Sequence, residues 1–286
     1  MKKIGYFFFS FLPFFASIGL QFAAMFPIIG FTMLYVCFSA LASGQKLGYN
    51  DFISQLMPIV SNQNFSMIVS LVFAVSGMLI FGFWYSRQFH GNLQFPAAQF
   101  ENPQILLALV LIVPGLQIAS SLITGVSAFF LPGWMDFYEK LMENAGFSSS
   151  PSILLILYAV LLGPIEEELT YRGVALASAQ RALPFWAANI FQALLFAVFH
   201  MNPIQGIYAF FIGLFLGYVF YRTGSIWISS LLHMLFNGFG TVSGMIEIYS
   251  PLLMLLLILA GIVGLYLFHK NTSMPGVNHS TDFSDM

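Results

Sequence analysis

Apolar runs long enough to cross a bilayer recur along this chain, and no other feature constrains its fold so tightly. A span needs about 20 apolar residues. Eight stretches stand out: Ile4–Leu41, Met67–Tyr85, Ile105–Phe130, Ile153–Tyr171, Phe185–His200, Ile204–Tyr221, Ile226–Ile246 and Leu252–Phe268. Composition agrees, with 59% hydrophobic and only 7% charged residues, against about 25% charged in a soluble domain. The expectation is a multi-pass integral membrane protein, a bundle of about eight helical spans.

The first run is ambiguous. At 1.5 Å per residue it makes a helix of ~57 Å, too long for one upright span. Pro13 and Pro27 could kink it, or it could hold two spans. Charge asymmetry favours one. With the N-terminus inside, the inner side holds Lys2, Lys3, Arg87, Arg172, Arg181, Arg222 and Lys270, and the outer side only Lys46 and Lys140. That distribution fits the positive-inside rule, and it survives if Arg172 lies within the membrane. Both termini are then expected in the cytoplasm, with the protein in the cell membrane. The apolar start far exceeds the ~7–15 residues of a signal-peptide core, so it reads as a signal anchor.

Other features place loops and exclude classes of function. Net charge is −2, which gives no basis for nucleic-acid binding. The single Cys37 precludes an internal disulfide framework or a thiolate metal cluster. Asn50 to Gln63 reads as a mixed polar loop. Trp134 to Asn144 has helical periodicity, with Trp134, Phe137, Tyr138 and Leu141 set against Asp136, Glu139, Lys140 and Glu143. It reads as a short helix in the interface, an ordinary amphipathic connection rather than a binding site. Gly206, Gly213 and Gly217 fall on one face of their span, where small residues let helices approach closely. No internal repeat is evident. The chain divides into N-terminal spans (1–150), a motif-bearing core (151–248), a last span (249–270) and a polar tail expected to be disordered (271–286).

The densest charge lies where it costs most. Pro164 to Gly173 reads P-I-E-E-E-L-T-Y-R-G, directly after an apolar run. Charge in a bilayer is kept only where it is paired or used. On a helix Glu168 and Arg172 share a face and form an ion pair. Glu167 points about 100° away, toward a different neighbour, and is left free for chemistry. Of five histidines, His90, His269 and His279 read as solvated. His200 ends the run Phe196-Ala197-Val198-Phe199-His200. His233 lies inside a span, with Asn237 one turn on and on the same face. A carboxylate and an imidazole that share a water can deprotonate it. A second imidazole and an amide can stabilise an oxyanion. A carboxylate with two imidazoles also suits zinc with one open position, although no H-E-x-x-H motif occurs. Residue types alone leave both mechanisms open.

Three motifs occur in order in successive spans: E-E-x-x-x-R at Glu167 to Arg172, F-x-x-x-H at Phe196 to His200, and H-x-x-x-N at His233 to Asn237. The set resembles the CAAX prenyl endopeptidase and bacteriocin-processing (CPBP, or Abi) family of intramembrane proteases, over roughly Ile153 to Ile246. The resemblance implies an all-α fold with a site set into the membrane. It implies that Glu167 and His200 activate a water, that His233 and Asn237 stabilise the oxyanion, and that Glu168 and Arg172 order the site. Glu166 is left out, because only the 167/168 pair has the right spacing to Arg172. No cofactor is expected, and a divalent metal such as zinc stays open. The implied partners are a membrane-associated or lipidated peptide or protein substrate and the lipid bilayer. The alternatives are a non-catalytic membrane scaffold or immunity protein and a proton-coupled transporter. Span boundaries taken from the runs put Glu167 near the inner end of its span and His200 near the outer end of the next, which fits a shared site poorly.

Overall fold

A chain in lipid must pair its own backbone polar groups, and a helix does so within one segment. In the computed structural model, which describes residues 2–89, 97–147, 151–243 and 250–272, the regular elements are all helical. They are α1 (Lys2–Phe9), α2 (Leu12–Ala42), α3 (Tyr49–Val60), α4 (Gln63–Gln88), the single turn α5 (Ala97–Phe100), α6 (Pro103–Phe130) and α7 (Pro132–Ala145). There follow α8 (residues 153–180), α9 (Phe185–Phe199), α10 (Pro203–Thr223), α11 (Ile226–Ser243) and α12 (Pro251–Asn271). Of the tail expected over 271–286, Asn271 is helical and Thr272 is buried, while the rest of it, His90 and His279 lie outside the described residues.

Among the described residues, five stretches are long and apolar enough to cross a membrane: Lys3–Ala42, Gln63–Gln88, Pro103–Phe130, Pro203–Thr223 and Pro251–Asn271. The chain is an integral membrane helical bundle, but a count of eight spans is not reached on these criteria. The three segments that fall short are the ones carrying the motifs. α9 has only 15 residues. α8 carries Glu166, Glu167, Glu168 and Arg172, and α11 carries His233 and Asn237. These helices trade lipid-facing apolar surface for polar groups that face protein. Every residue from Leu169 to Leu176 in α8 is buried.

The first run forms one stretch, interrupted only at Ser10–Phe11. Pro13 falls in the first turn of α2, where a missing N–H costs nothing, and α2 continues through Pro27. The polar loop expected over Asn50–Gln63 is instead the helix α3. Asp51 caps it by accepting from the Gly48 N–H at 3.2 Å.

Two glycine contacts set the interhelical spacing around the site. Gly115 of α6 and Gly261 of α12 meet backbone to backbone, where a Cβ on Gly115 would lie 3.1 Å from the Gly261 Cα. The Gly206, Gly213 and Gly217 face of α10 packs on α9 against Ala197, Ala193 and Asn189, as its small residues predict. Leu109 and Ile112 of α6, Leu216 of α10, Leu232 of α11 and Phe268 of α12 form the main core. A second cluster joins Phe14 of α2 to Tyr171 and Phe196. The site lies beside these two clusters.

Candidate active site

α8 alternates between two helical forms. Leu157–Leu162 and Leu169–Leu176 are π-helical, and they bracket the α-helical turn Gly163–Glu168. The wider π turn shifts which side chains face a given side. Glu166, Glu167 and Glu168 all lie in the α-helical turn between the two π-helical segments.

Glu166 is buried, accepts from the Thr170 hydroxyl at 2.8 Å, and packs against Gly77 of α4. Its omission from the motif corresponds to a side chain outside the site cavity. Glu168 makes the expected i,i+4 ion pair, with Oε1 2.9 Å from Arg172 Nη1 and both side chains fully buried. The same oxygen lies 3.0 Å from His233 Nδ1. Glu167 does not find a different neighbour, as the 100° offset predicts. Its Oε2 lies 3.6 Å from Nε2 of the same imidazole, just beyond hydrogen-bond length. The two carboxylates therefore flank one histidine, with Glu168 on the protein side and Glu167 on the open side.

Arg172 is held from behind. It donates to the Gly213 carbonyl at 3.3 Å and lies 4.7 Å from the Phe196 ring centroid. Gln192 donates to the same Gly213 carbonyl at 3.0 Å and to Asn189 Oδ1 at 2.8 Å, and Asn189 donates to the Leu214 carbonyl at 3.0 Å. Asn189, Gln192, Phe196 and His200 share one face of α9. That spacing was the signal by which these buried amides could have been found in the sequence. Phe196 also meets the His200 ring edge-on at 4.8 Å and the His233 ring at 6.0 Å.

His200 caps the C-terminus of α9. Its Nδ1 lies 2.8 Å from the Phe196 carbonyl. A carbonyl only accepts, so Nδ1 carries the proton and Nε2 is left with its lone pair. Met201 follows with φ 51°, a left-handed residue that turns the chain into α10. Asn237 Nδ2 donates to the Ala159 carbonyl at 2.8 Å, which commits one of its two amide hydrogens.

Glu167, His200, His233 and Asn237 line one cavity of about 850 Å³. The depth mismatch between Glu167 and His200 disappears because α8 runs on to Gln180. Glu167 lies about 20 Å before that end, and His200 about 22 Å beyond the start of the antiparallel α9. His269 is exposed, as expected, with Nδ1 3.0 Å from the Tyr218 hydroxyl.

α7 begins directly after α6 and stops at Gly146, whose φ is 89°. The Gln63 amide donates to the Ala145 carbonyl at 2.7 Å and fills the space a Cβ at Gly146 would need. The helix expected here is present, but it is more than a connection. Tyr138, Leu141, Met142 and Ala145 line the cavity, while Trp134 and Phe137 are exposed. Among the described residues no three His, Cys, Asp or Glu side chains converge with metal-holding geometry.

Residues 149–239 match the family model described as "Type II CAAX prenyl endopeptidase Rce1-like". The chain carries an Rce1-like domain. The match spans all three motifs and covers about a third of the chain. Comparison with curated proteins and with solved structures finds no match. The Rce1-like stretch thus comprises α8 to α11, while α4, α6 and α7, which also line the cavity, lie outside it.

Proposed function

We propose that the cavity hydrolyses a peptide bond of a membrane-associated or lipidated substrate, without a covalent intermediate. The observation that carries this reading is the convergence of Glu167, His200, His233 and Asn237 on one cavity. Glu167 and the free Nε2 of His200 bind a water. Glu167 takes its proton as the oxygen attacks the scissile carbonyl carbon. Nε2–H of His233, in its imidazolium form, and the uncommitted N–H of Asn237 donate to the oxyanion. The proton on Glu167 passes to the leaving nitrogen, the C–N bond breaks, and a carboxylic acid and an amine result. Glu168 and Arg172 act through His233, by holding Nδ1 and so aiming Nε2. Protein groups and water suffice for each step, so no cofactor enters the scheme. The termini lie on the cytoplasmic side of the cell membrane in this proposal, as the inner bias of Lys and Arg supports.

The test is cleavage of a farnesylated CAAX reporter peptide in proteoliposomes. Glu167→Ala, His200→Ala and His233→Ala are each expected to abolish cleavage while the protein remains folded. Undiminished proteolysis by Glu167→Ala would overturn the mechanism. Ion or proton flux with no peptide product would favour a transporter.

A further inference from the structure

Hydrolysis needs more than a water and an oxyanion site. The substrate must lie extended across the catalytic groups, so its backbone N–H and C=O groups near the cut are not paired with one another. Lipid cannot satisfy them, and backbone of that kind is tolerated at membrane depth only where protein or water meets it.

One wall of the cavity has the right chemistry. Gln117, Ser120, Ser121 and Thr124 of α6 all line it. Their spacing of i, i+3, i+4 and i+7 puts them on one face of a helix that is otherwise almost wholly apolar. The packing of α6 on α12 through Gly115 and Gly261 lies elsewhere on the helix. The Gln117 Oε1 is buried without a hydrogen-bond partner, an arrangement that costs stability unless something occupies it. It lies against Gly240 of α11, where a Cβ would come within 3.2 Å. Asn237, Gly240 and Thr241 share that face of α11 and line the same cavity. Polar residues of α6 and α11, the oxyanion amide of Asn237 among them, thus line one cavity. The wall formed by α7 and α9, with Leu141, Met142, Phe196 and Phe199, is more apolar, its polar groups being Tyr138 and His200.

We propose that the Gln117–Thr124 face of α6 is the subsite that binds the extended backbone of the substrate peptide beside the scissile bond. Gln117 is its principal specificity-determining residue. When substrate enters, the amide turns off Gly240, so that Oε1 accepts a substrate N–H and Nε2 donates to a substrate carbonyl, and the hydroxyls of Ser120, Ser121 and Thr124 continue the pairing. None of these four residues belongs to the Rce1-like stretch. This subsite rests on the hydrolase reading and extends it.

The experiment uses the full-length protein, the farnesylated CAAX reporter peptide, and a set of peptides in which each backbone amide near the cut is replaced in turn by an ester. An ester keeps the shape and removes one N–H. Wild type is expected to cut one ester peptide about 10- to 100-fold more slowly than the parent. Gln117→Leu is expected to cut the parent that slowly already and to be indifferent to that same ester. Thr124→Val, at a half-buried position, gives a milder loss and guards against misfolding of the first variant. If wild type cuts the reporter and both variants match it, the hydrolase reading stands and the α6 subsite is overturned. If Gln117→Leu is slow but keeps the full sensitivity to every ester, its role is structural and the proposal fails. If wild type leaves the reporter and all its analogues uncut, the hydrolase reading itself fails and the subsite with it.

Discussion

Glu168→Gln is the substitution whose outcome the geometry constrains most. One carboxylate oxygen serves both Arg172 at 2.9 Å and His233 at 3.0 Å, and neither Glu168 nor Arg172 is exposed. The amide keeps the shape and can still accept from Nδ1–H, but it removes the charge. Neutralising one partner of a buried pair costs about 3–5 kcal/mol, because the other charge stays buried. The Gly213 carbonyl and the Phe196 ring remain around Arg172 and keep the loss near the lower figure, about 3 kcal/mol. Arg172→Met should cost a similar amount by stranding the carboxylate. The double variant E168Q/R172M removes both charges and should return to within about 1 kcal/mol of wild type, since replacing a whole buried pair is often nearly neutral. The coupling between the two sites would then exceed about 2 kcal/mol. Thermal unfolding in detergent measures the stability cycle, and cleavage of the reporter peptide measures function. Activity should not recover in the double variant. Losing a charged hydrogen bond of up to about 3 kcal/mol to His233 corresponds to about 100-fold in rate. A double variant as unstable as the two singles added together would refute the pairing argument. One that regained wild-type cleavage would refute the positioning role.

Glu166→Gln should leave cleavage within a few-fold of wild type, because Glu166 lies on the α4 side, outside the cavity, with one oxygen accepting from Thr170; a loss comparable with Glu167→Gln would put the motif one residue out of register. Gly217→Val should lower the unfolding temperature sharply, since even one added carbon meets the Asn189 side chain that bonds α10; an unchanged melting curve would mean that the α9–α10 packing is not tight. Chelators such as 1,10-phenanthroline should leave cleavage unchanged, and inactivation reversed by zinc would replace the glutamate mechanism with a metal one.

The motifs and the pairing of Glu168 with Arg172 were legible in the sequence for local reasons. Helical spacing dictates which residues share a face, and the price of charge in lipid marks out the few residues kept there. The same local reasoning predicted the α9-facing glycines of α10 and the helix over Trp134–Asn144. It failed where geometry depends on non-local registration. Span boundaries drawn from apolar runs ended α8 at Tyr171, although burial against protein carries the helix to Gln180. That extension is what brings Glu167 level with His200.

Sequence alone therefore determined that this is a helical membrane protein and which residues could do chemistry, because solvent transfer and helix periodicity act residue by residue. Only the tertiary structure decided what those residues face. Glu167 and Glu168 face opposite nitrogens of one imidazole brought in by α11. Helices outside the motif region, α6 and α7, close the rest of the cavity. A hydroxyl on an apolar helix looks the same in sequence whether it faces lipid, a neighbour or a substrate, and packing across the whole bundle makes that choice.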